Sequence, residues 1–431
     1  MKVLEVNFRD WGGGSPNVAV MLTEELNAHG VDATLGVWEM RSGLPFVVRL
    51  PEKKTLKTPF VVWLMKKACR KIAKPFKACF QFETSSVIAH ETNFKSRVDV
   101  GWINASDYDI VHLHSLNGDL LSIKDIARIT KPLVWTLHDS WPCCGAEHHP
   151  NILEGDRRYQ EGYTRGNKPK TTRGFDLCRK VYLQKKRHLS GKPIVFTAPS
   201  SWEQETCRTS ALFSQNRCEL IPNFIDGGAF FPKDRYALRK NLGIPQGKKI
   251  LGFGAHYGVD DPKSAKGSYY LIEALKRLAD KEQYFLVVFG PSAPEFTSRL
   301  EIGYFESKAI YNNQILSCVY NVCDCFVNPS IVESFGLTTL EAISCGVPVV
   351  AFGATGTKDI VVHKENGYLA APYDVGDLVA GIEFCASHAA ALREKCAETV
   401  REKFDKEKIV RQYIDLYEDV LGKAAAGGGH G

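Results

Sequence analysis

Residues 325–352, CFVNPSIVESFGLTTLEAISCGVPVVAF, leave this chain few choices of fold. An apolar strand, Cys325–Asn328, runs into Pro329 and a loop. A helix starts near Gly336, and after Cys345-Gly346-Val347-Pro348 a second apolar strand spans Val347–Phe352. Two buried strands joined by a helix make a unit of a parallel sheet. Free N–H groups at a helix start attract an anion, and Gly336 lets the backbone approach it closely. Glu333 and Glu341 bracket that helix start with seven residues between them. Glu341 lies roughly 7 Å into the helix at ~1.5 Å per residue, where a carboxylate can accept two hydrogen bonds from a ribose diol, each worth ~1.5–3 kcal/mol. Glu333, ahead of the helix, faces the opposite end of such a ligand, where a sugar would sit. The geometry suits a nucleotide sugar.

The stretch from Pro329 to Gly367, with the later turn Glu365-Asn366-Gly367-Tyr368-Leu369, resembles the Glu-x7-Glu signature of retaining glycosyltransferases of family 4. That resemblance implies the GT-B fold, an α/β architecture of two facing Rossmann-like domains with an interdomain cleft. It places domain 1 at 1–226 on the acceptor side. Domain 2, at 227–404, takes the nucleotide-sugar donor, and a C-terminal helix over 405–423 returns to domain 1. The alternative for the segment alone is an ordinary strand–helix–strand unit with two solvated glutamates.

The rest of the chain fits two or three domains in 431 residues, and 44% apolar with 24% charged residues is ordinary for a soluble globular protein. No run approaches the ~18 apolar residues of a membrane span. Met1–Phe8 reads as a first strand rather than a signal peptide. Thirteen scattered cysteines read as reduced core thiols, in keeping with a cytoplasmic setting. The net charge of +6 is uneven: residues 53–82 carry nine basic side chains and no acidic one, interleaved with Phe60, Trp63, Leu64, Met65, Ile72, Phe76 and Phe80. Such a segment suits peripheral contact with an anionic membrane, or packs as a basic surface helix. No basic stripe elsewhere points to nucleic acid.

The opening reads as strand Lys2–Phe8, glycine loop Gly12-Gly13-Gly14 and helix Asn17–His29; the loop lacks the P-loop pattern. By the resemblance, Gly13 and Gly14 face the transferred sugar and the acceptor. Tyr108–His114 and Lys131–Asp139 read as buried strands ending in polar residues, with helix Leu120–Ile129 between them. The string Thr-Leu-His-Asp-Ser-Trp-Pro is similar to one in family 4 enzymes of bacterial surface polysaccharide synthesis. It implies that His138 contacts the donor sugar, with Asp139 orienting the imidazole or meeting the acceptor. Cys143, Cys144, His148, His149 and Cys178 leave metal binding open, although adjacent pairs are a poor zinc pattern; no metal is expected in the transfer site. Pro222–Asp226 resembles the family's interdomain linker, with Phe224 in place of glycine.

In domain 2, Lys248–His256 reads as a strand ending in a glycine turn, followed by Lys266-Gly267 and helix Ser268–Asp280. By the resemblance, Lys266 binds the donor diphosphate. The family's arginine is replaced by Ala255 or His256, with Lys263 as its substitute. Catalytic roles then fall to His138, Glu333 and Lys266, and donor binding to Glu341, Phe335, Gly336, Leu337, Thr338, Gly254 and Lys263. The partners implied are a nucleotide sugar and a saccharide acceptor, lipid-linked and at the inner face of the membrane, with no cofactor. Three rivals stand beside this reading. One is a non-catalytic nucleotide-sugar-binding subunit. Another is a nicotinamide oxidoreductase, for which Gly252-Phe-Gly254 is suggestive but Gly258 sits one place too far along. A phosphorylase would need an anchored cofactor.

Overall fold

The computed structural model describes residues 1–53, 89–170, 172, 174–254, 264–290 and 294–427. Lys263, Ala255, His256 and nearly all of the basic stretch 53–82 lie outside them. The first sheet has seven parallel strands: β1 (Lys2–Arg9), β2 (Asp32–Glu39), β3 (Val47–Arg49), β4 (Ile110–Leu113), β5 (Leu133–Thr136), β6 (Ile194–Ala198) and β7 (Cys218–Leu220), in the order β3-β2-β1-β4-β5-β6-β7. Helix α1 (Gly14–Ala28) follows β1, and α2 (Ser201–Arg208) follows β6. The second sheet contains β8 (Lys249–Gly254), β9 (Tyr284–Phe289), β10 (Gly303–Ser307), β11 (Cys325–Asn328), β12 (Val349–Phe352) and β13 (Gly367–Ala370), ordered β10-β9-β8-β11-β12-β13 and again parallel. Helix α3 (Ser268–Arg277) leads from the turn after β8, and α4 (Leu337–Ser344) links β11 to β12.

Every residue of β4, β5, β11 and β12 is buried, as strands covered on both faces must be, which is why they read as unbroken apolar runs. In each sheet the strand order reverses beside the first strand, between β1 and β4 and between β8 and β11. Open parallel sheets bind ligands at the carboxyl ends of strands at such a switch point. The Gly13 turn and the Glu333 loop emerge there.

Two long helices close the molecule. Helix α5 (Val375–Lys403) buries Leu378, Ile382, Cys385 and Leu392 in the second domain. Helix α6 (Lys406–Gly427) crosses to the first and packs Ile409, Val410, Tyr413, Leu416 and Tyr417 against Val3, Leu22, Ile110 and Val134. Phe224, where the family has glycine, is buried in that same contact. Contrary to the expectation that no stretch would qualify, Val375–Ala424 is long and apolar enough by composition to cross a membrane. Its apolar side chains line the two cores instead.

Local differences from the sequence reading have plain causes. Helix α1 starts at Gly14, three residues early, because Gly13 takes φ 107° and turns the chain directly into it. The helix expected over 120–129 covers only Ile123–Ala127, since the Ser122 hydroxyl accepts from the Asp125 amide and caps it there. Helix α6 runs on through Ala424 to Gly427, past the expected end at 423. All described cysteines are free thiols.

Candidate active site

A cleft of about 630 Å³ separates the two sheets, within the range of small-molecule sites. It brings together Gly13, Gly14, His138, Asp139, Lys266, Glu333, Phe335, Gly336, Leu337, Thr338 and Glu341. The amino ends of α1 and α4 meet across it: a Cβ on Gly14 would lie 3.3 Å from Leu337 Cδ1. Both helices start from a glycine, Gly13 and Gly336, with no side-chain cap and no acidic residue in the first turn. Two positive helix ends thus face one space, which favours an anion strongly.

Behind α4 the second domain supplies three charged groups. Gly267 (φ 69°) is obligatory, because a Cβ there would fall 1.9 Å from the Pro329 carbonyl oxygen. This close approach, with the Ile331 amide donating to the Ala265 carbonyl at 2.7 Å, seats the Lys266 turn against the loop after β11. The Lys266 ammonium therefore pairs with the Glu333 carboxylate, which also accepts from the Ser330 hydroxyl at 3.0 Å. The Glu333 amide donates to Thr355 Oγ1 at 3.0 Å, fixing its backbone. Glu341 accepts from the Tyr320 hydroxyl at 2.6 Å. Burial pushes its carboxyl up to about 7, against the opposing pull of that hydrogen bond. A carboxylate so poised is costly when empty and is relieved by a ligand that donates to it.

The first domain contributes a histidine relay. His112 in β4 and His114, one residue past its end, are two positions apart on extended chain and so share a face. The Glu5 carboxylate, fully buried, lies 3.3 Å from His114 Nε2 and 3.6 Å from His112 Nδ1, and accepts from the Thr23 hydroxyl at 2.9 Å. Burial opposes its ionisation, but the hydrogen bonds with the two histidines win and hold it down to about 2. His114 Nδ1 in turn lies 2.8 Å from His138 Nε2, the rings stacked. Burial and the neighbouring His114 keep His138 well below the usual histidine range, so a neutral imidazole faces the cleft. Asp139 pairs with His148 at 2.6 Å; burial resists its charge, yet His148 holds it to about 2.

A folded-state value near 2 for Glu5 means its stabilisation is present above the unfolded carboxylate range and is lost as pH falls through 2. Glu5→Gln is accordingly expected to cost about 3 kcal/mol at pH 7 and much less at pH 2–3. Urea unfolding of both proteins from pH 2 to 7 checks this. A pH-independent difference would contradict the buried-carboxylate assignment.

One expected donor residue falls elsewhere. Gly254 ends β8 inside the sheet, where a Cβ would sit 2.5 Å from the Phe289 ring, so packing rather than ligand demands glycine. Lys263 is outside the described residues. Cys143, Cys144, His148, His149 and Cys178 do not converge: His148 serves Asp139, while His149 lies near Ser140 and Glu203. Sequence reasoning missed Glu5, His112, His114 and Tyr320. It also missed a contact between domains in which the Ser201 hydroxyl donates to Asp359 at 2.7 Å and the Ser200 hydroxyl to the Ser334 carbonyl at 2.5 Å. The His-x-His alternation on a strand was the one local signal for any of them.

Residues 92–227 match the family described as Glycosyltransferase Family 4, and residues 234–403 match Glycosyl transferases group 1. The N-acetyl-alpha-D-glucosaminyl L-malate synthase of Bacillus anthracis is 28% identical over 47% of this chain. The chain spans about half of that relative, 54% of its length. WcaC of Escherichia coli (strain K12), whose name places it provisionally in colanic acid biosynthesis, is 25% identical over 72% of this chain and 76% of its own. Among solved structures, Anabaena Alr3699/HepE in complex with UDP-glucose superposes with a TM-score of 0.62 at 18% identity, covering 97% of this chain and all of that one. With both halves matched in order on two facing parallel sheets, the chain belongs to the family 4 glycosyltransferases of GT-B fold.

Proposed function

We propose that the protein transfers a sugar, with retention of anomeric configuration, from a nucleotide-diphosphate sugar to a saccharide hydroxyl. The observation that carries this reading is the meeting of two uncapped helix ends beside Lys266, with Glu341 one turn deeper. The diphosphate sits between the helix ends, and Lys266 stabilises the charge that develops as it departs. Glu341 accepts the ribose hydroxyls, and Glu333 orients the sugar against neutral His138. The anomeric C–O bond to phosphate breaks while the acceptor oxygen bonds from the same face, and the acceptor's proton passes to the departing phosphate oxygen. Closure of the cleft excludes water from this step. The likeness to WcaC supports an acceptor from surface polysaccharide synthesis. The basic, aromatic composition of 53–82 supports a lipid-linked acceptor met at the cytoplasmic face of the membrane.

The stereochemistry is tested by incubating the protein with a panel of nucleotide sugars and following the anomeric proton by NMR. Retention, in the slow hydrolysis product or the transferred sugar, supports the front-face path; an inverted product refutes it. Tyr320→Phe is expected to weaken nucleotide binding by up to about tenfold at pH 7, because loss of its hydrogen bond raises the Glu341 carboxyl further. Calorimetry should show affinity recovering as pH rises through the displaced value. A deficit equal at all pH would assign Tyr320 a merely structural part.

A further inference from the structure

We propose that His90, Glu147 and Cys178 form a divalent-metal site, suited to zinc, that staples the first-domain wall of the cleft. Their ligand atoms, one imidazole nitrogen, one carboxylate oxygen and one thiol, all lie within 4.8 Å of one another, although the residues come from three separate segments. Nitrogen, oxygen and sulfur together are a donor set zinc accepts, and three protein ligands leave a fourth position for water. Zinc bonds of about 2.0–2.3 Å put tetrahedral ligands roughly 3.3–3.8 Å apart, a spacing compatible with a cluster whose ligand atoms all lie within 4.8 Å.

The surroundings are built for it. Glu147 is buried, and its Oε1 accepts from the Tyr163 hydroxyl with Arg158 at 3.9 Å, while Oε2 is buried with no oxygen or nitrogen partner and the Cys178 thiol is within hydrogen-bonding reach of the carboxylate. Arg158 itself is engaged by Asp156 at 2.7 Å, which leaves the second carboxylate oxygen as the ligating one. Gly145 packs so tightly on the Cys178 carbonyl that a Cβ would fall 2.5 Å from it, locking the thiol's segment beside Glu147. His90 and Glu147 are bridged as antiparallel backbone partners. In the other cluster of this kind among the described residues, Glu5, His112 and His114, hydroxyls of Thr23, Tyr417 and Thr136 bond Glu5 and both ring nitrogens of His112, and His114 Nδ1 faces His138.

Binding would transfer the Cys178 thiol proton to solvent, and thiolate plus carboxylate would neutralise the dication. The consequence is local order. Residues 137–193 join β5 to β6 with only short helices among the described residues before 177, and such a loop gains from a clip that closes it onto a distant segment. The segment 146–148 that the metal would fix leads directly to His148, the partner of Asp139 in the cleft.

The test uses the full-length protein, chelator-treated and then titrated with zinc and with cobalt(II). One equivalent of zinc, a raised melting temperature and a thiolate-to-cobalt charge-transfer band are expected. The band should vanish in Cys178→Ser and persist in Cys318→Ser. Should Cys178→Ser fail to fold, His90→Gln and Glu147→Gln must each weaken zinc binding at least tenfold. Substoichiometric zinc, cobalt bound without the band, or a band that survives Cys178→Ser overturns the proposal. None of these readouts depends on sugar transfer.

Discussion

Lys266→Ala is expected to lower kcat by about 10²–10³-fold, the loss seen when a preorganised group at a developing charge is removed. The ammonium lies beside the meeting helix ends and is held by Glu333, whose side chain is only 14% exposed. Removing the cation therefore also leaves a largely buried carboxylate without its ion-pair partner, an added local cost of order 1 kcal/mol. Glu333→Gln should give a loss of similar size, since it releases the same pair from the other side. Because the two act as one unit, the double variant should be little worse than either single one. Rates measured at saturating donor, alongside melting temperatures, separate this from unfolding. Additive losses, or an effect confined to KM, would show that the pair only binds.

Glu341→Gln should push two quantities in opposite directions. The carboxyl's folded-state value, raised to about 7 by burial, means that ionising it disfavours the empty fold. Stability contributed by the protonated form is complete below the unfolded carboxylate value and disappears as pH rises through 7. The neutral amide should thus stabilise the ligand-free protein at pH 8 by about 3 kcal/mol. Nucleotide affinity should meanwhile fall by roughly 10–100-fold, the loss of charge-assisted hydrogen bonds to a diol. Melting curves at pH 5 and pH 8, with and without nucleotide, report both. A destabilised empty protein at pH 8, or unchanged affinity, would remove Glu341 from the site. A gain in stability bought with function is the usual signature of a residue kept for its ligand.

Much of this site was legible because its parts are local. Glu333, Gly336 and Glu341 sit on one strand–helix unit whose period and glycine are visible in the sequence, and Lys266 precedes another helix start. Folding a parallel sheet puts all of them at strand carboxyl ends without further information. Gly254 misled for a related reason: a glycine at a strand end fits a ligand turn and a packed aromatic ring equally well, and only Phe289, 35 residues on, decides between them. The histidine relay was legible only as His138 and a His-x-His alternation, because it joins β1, β4 and the loop after β5 with α6, residues as far apart as Glu5 and Tyr417. Ser201 and Asp359 are likewise far apart, one on each domain. The Tyr320 ring is a core aromatic, and only its hydroxyl reaches Glu341. Side chains that meet across elements leave no spacing in the sequence to read.

The central claim is that the cleft holds a nucleoside diphosphate, its phosphates between the helix ends and its ribose on Glu341. Calorimetric titration of the protein, and of Glu341→Gln and Lys266→Ala, with UDP, GDP and ADP tests it most directly. The account predicts that one of the three binds the unmodified protein with one site per chain and that each substitution weakens it. Absence of binding by all three, or binding indifferent to both substitutions, would contradict it.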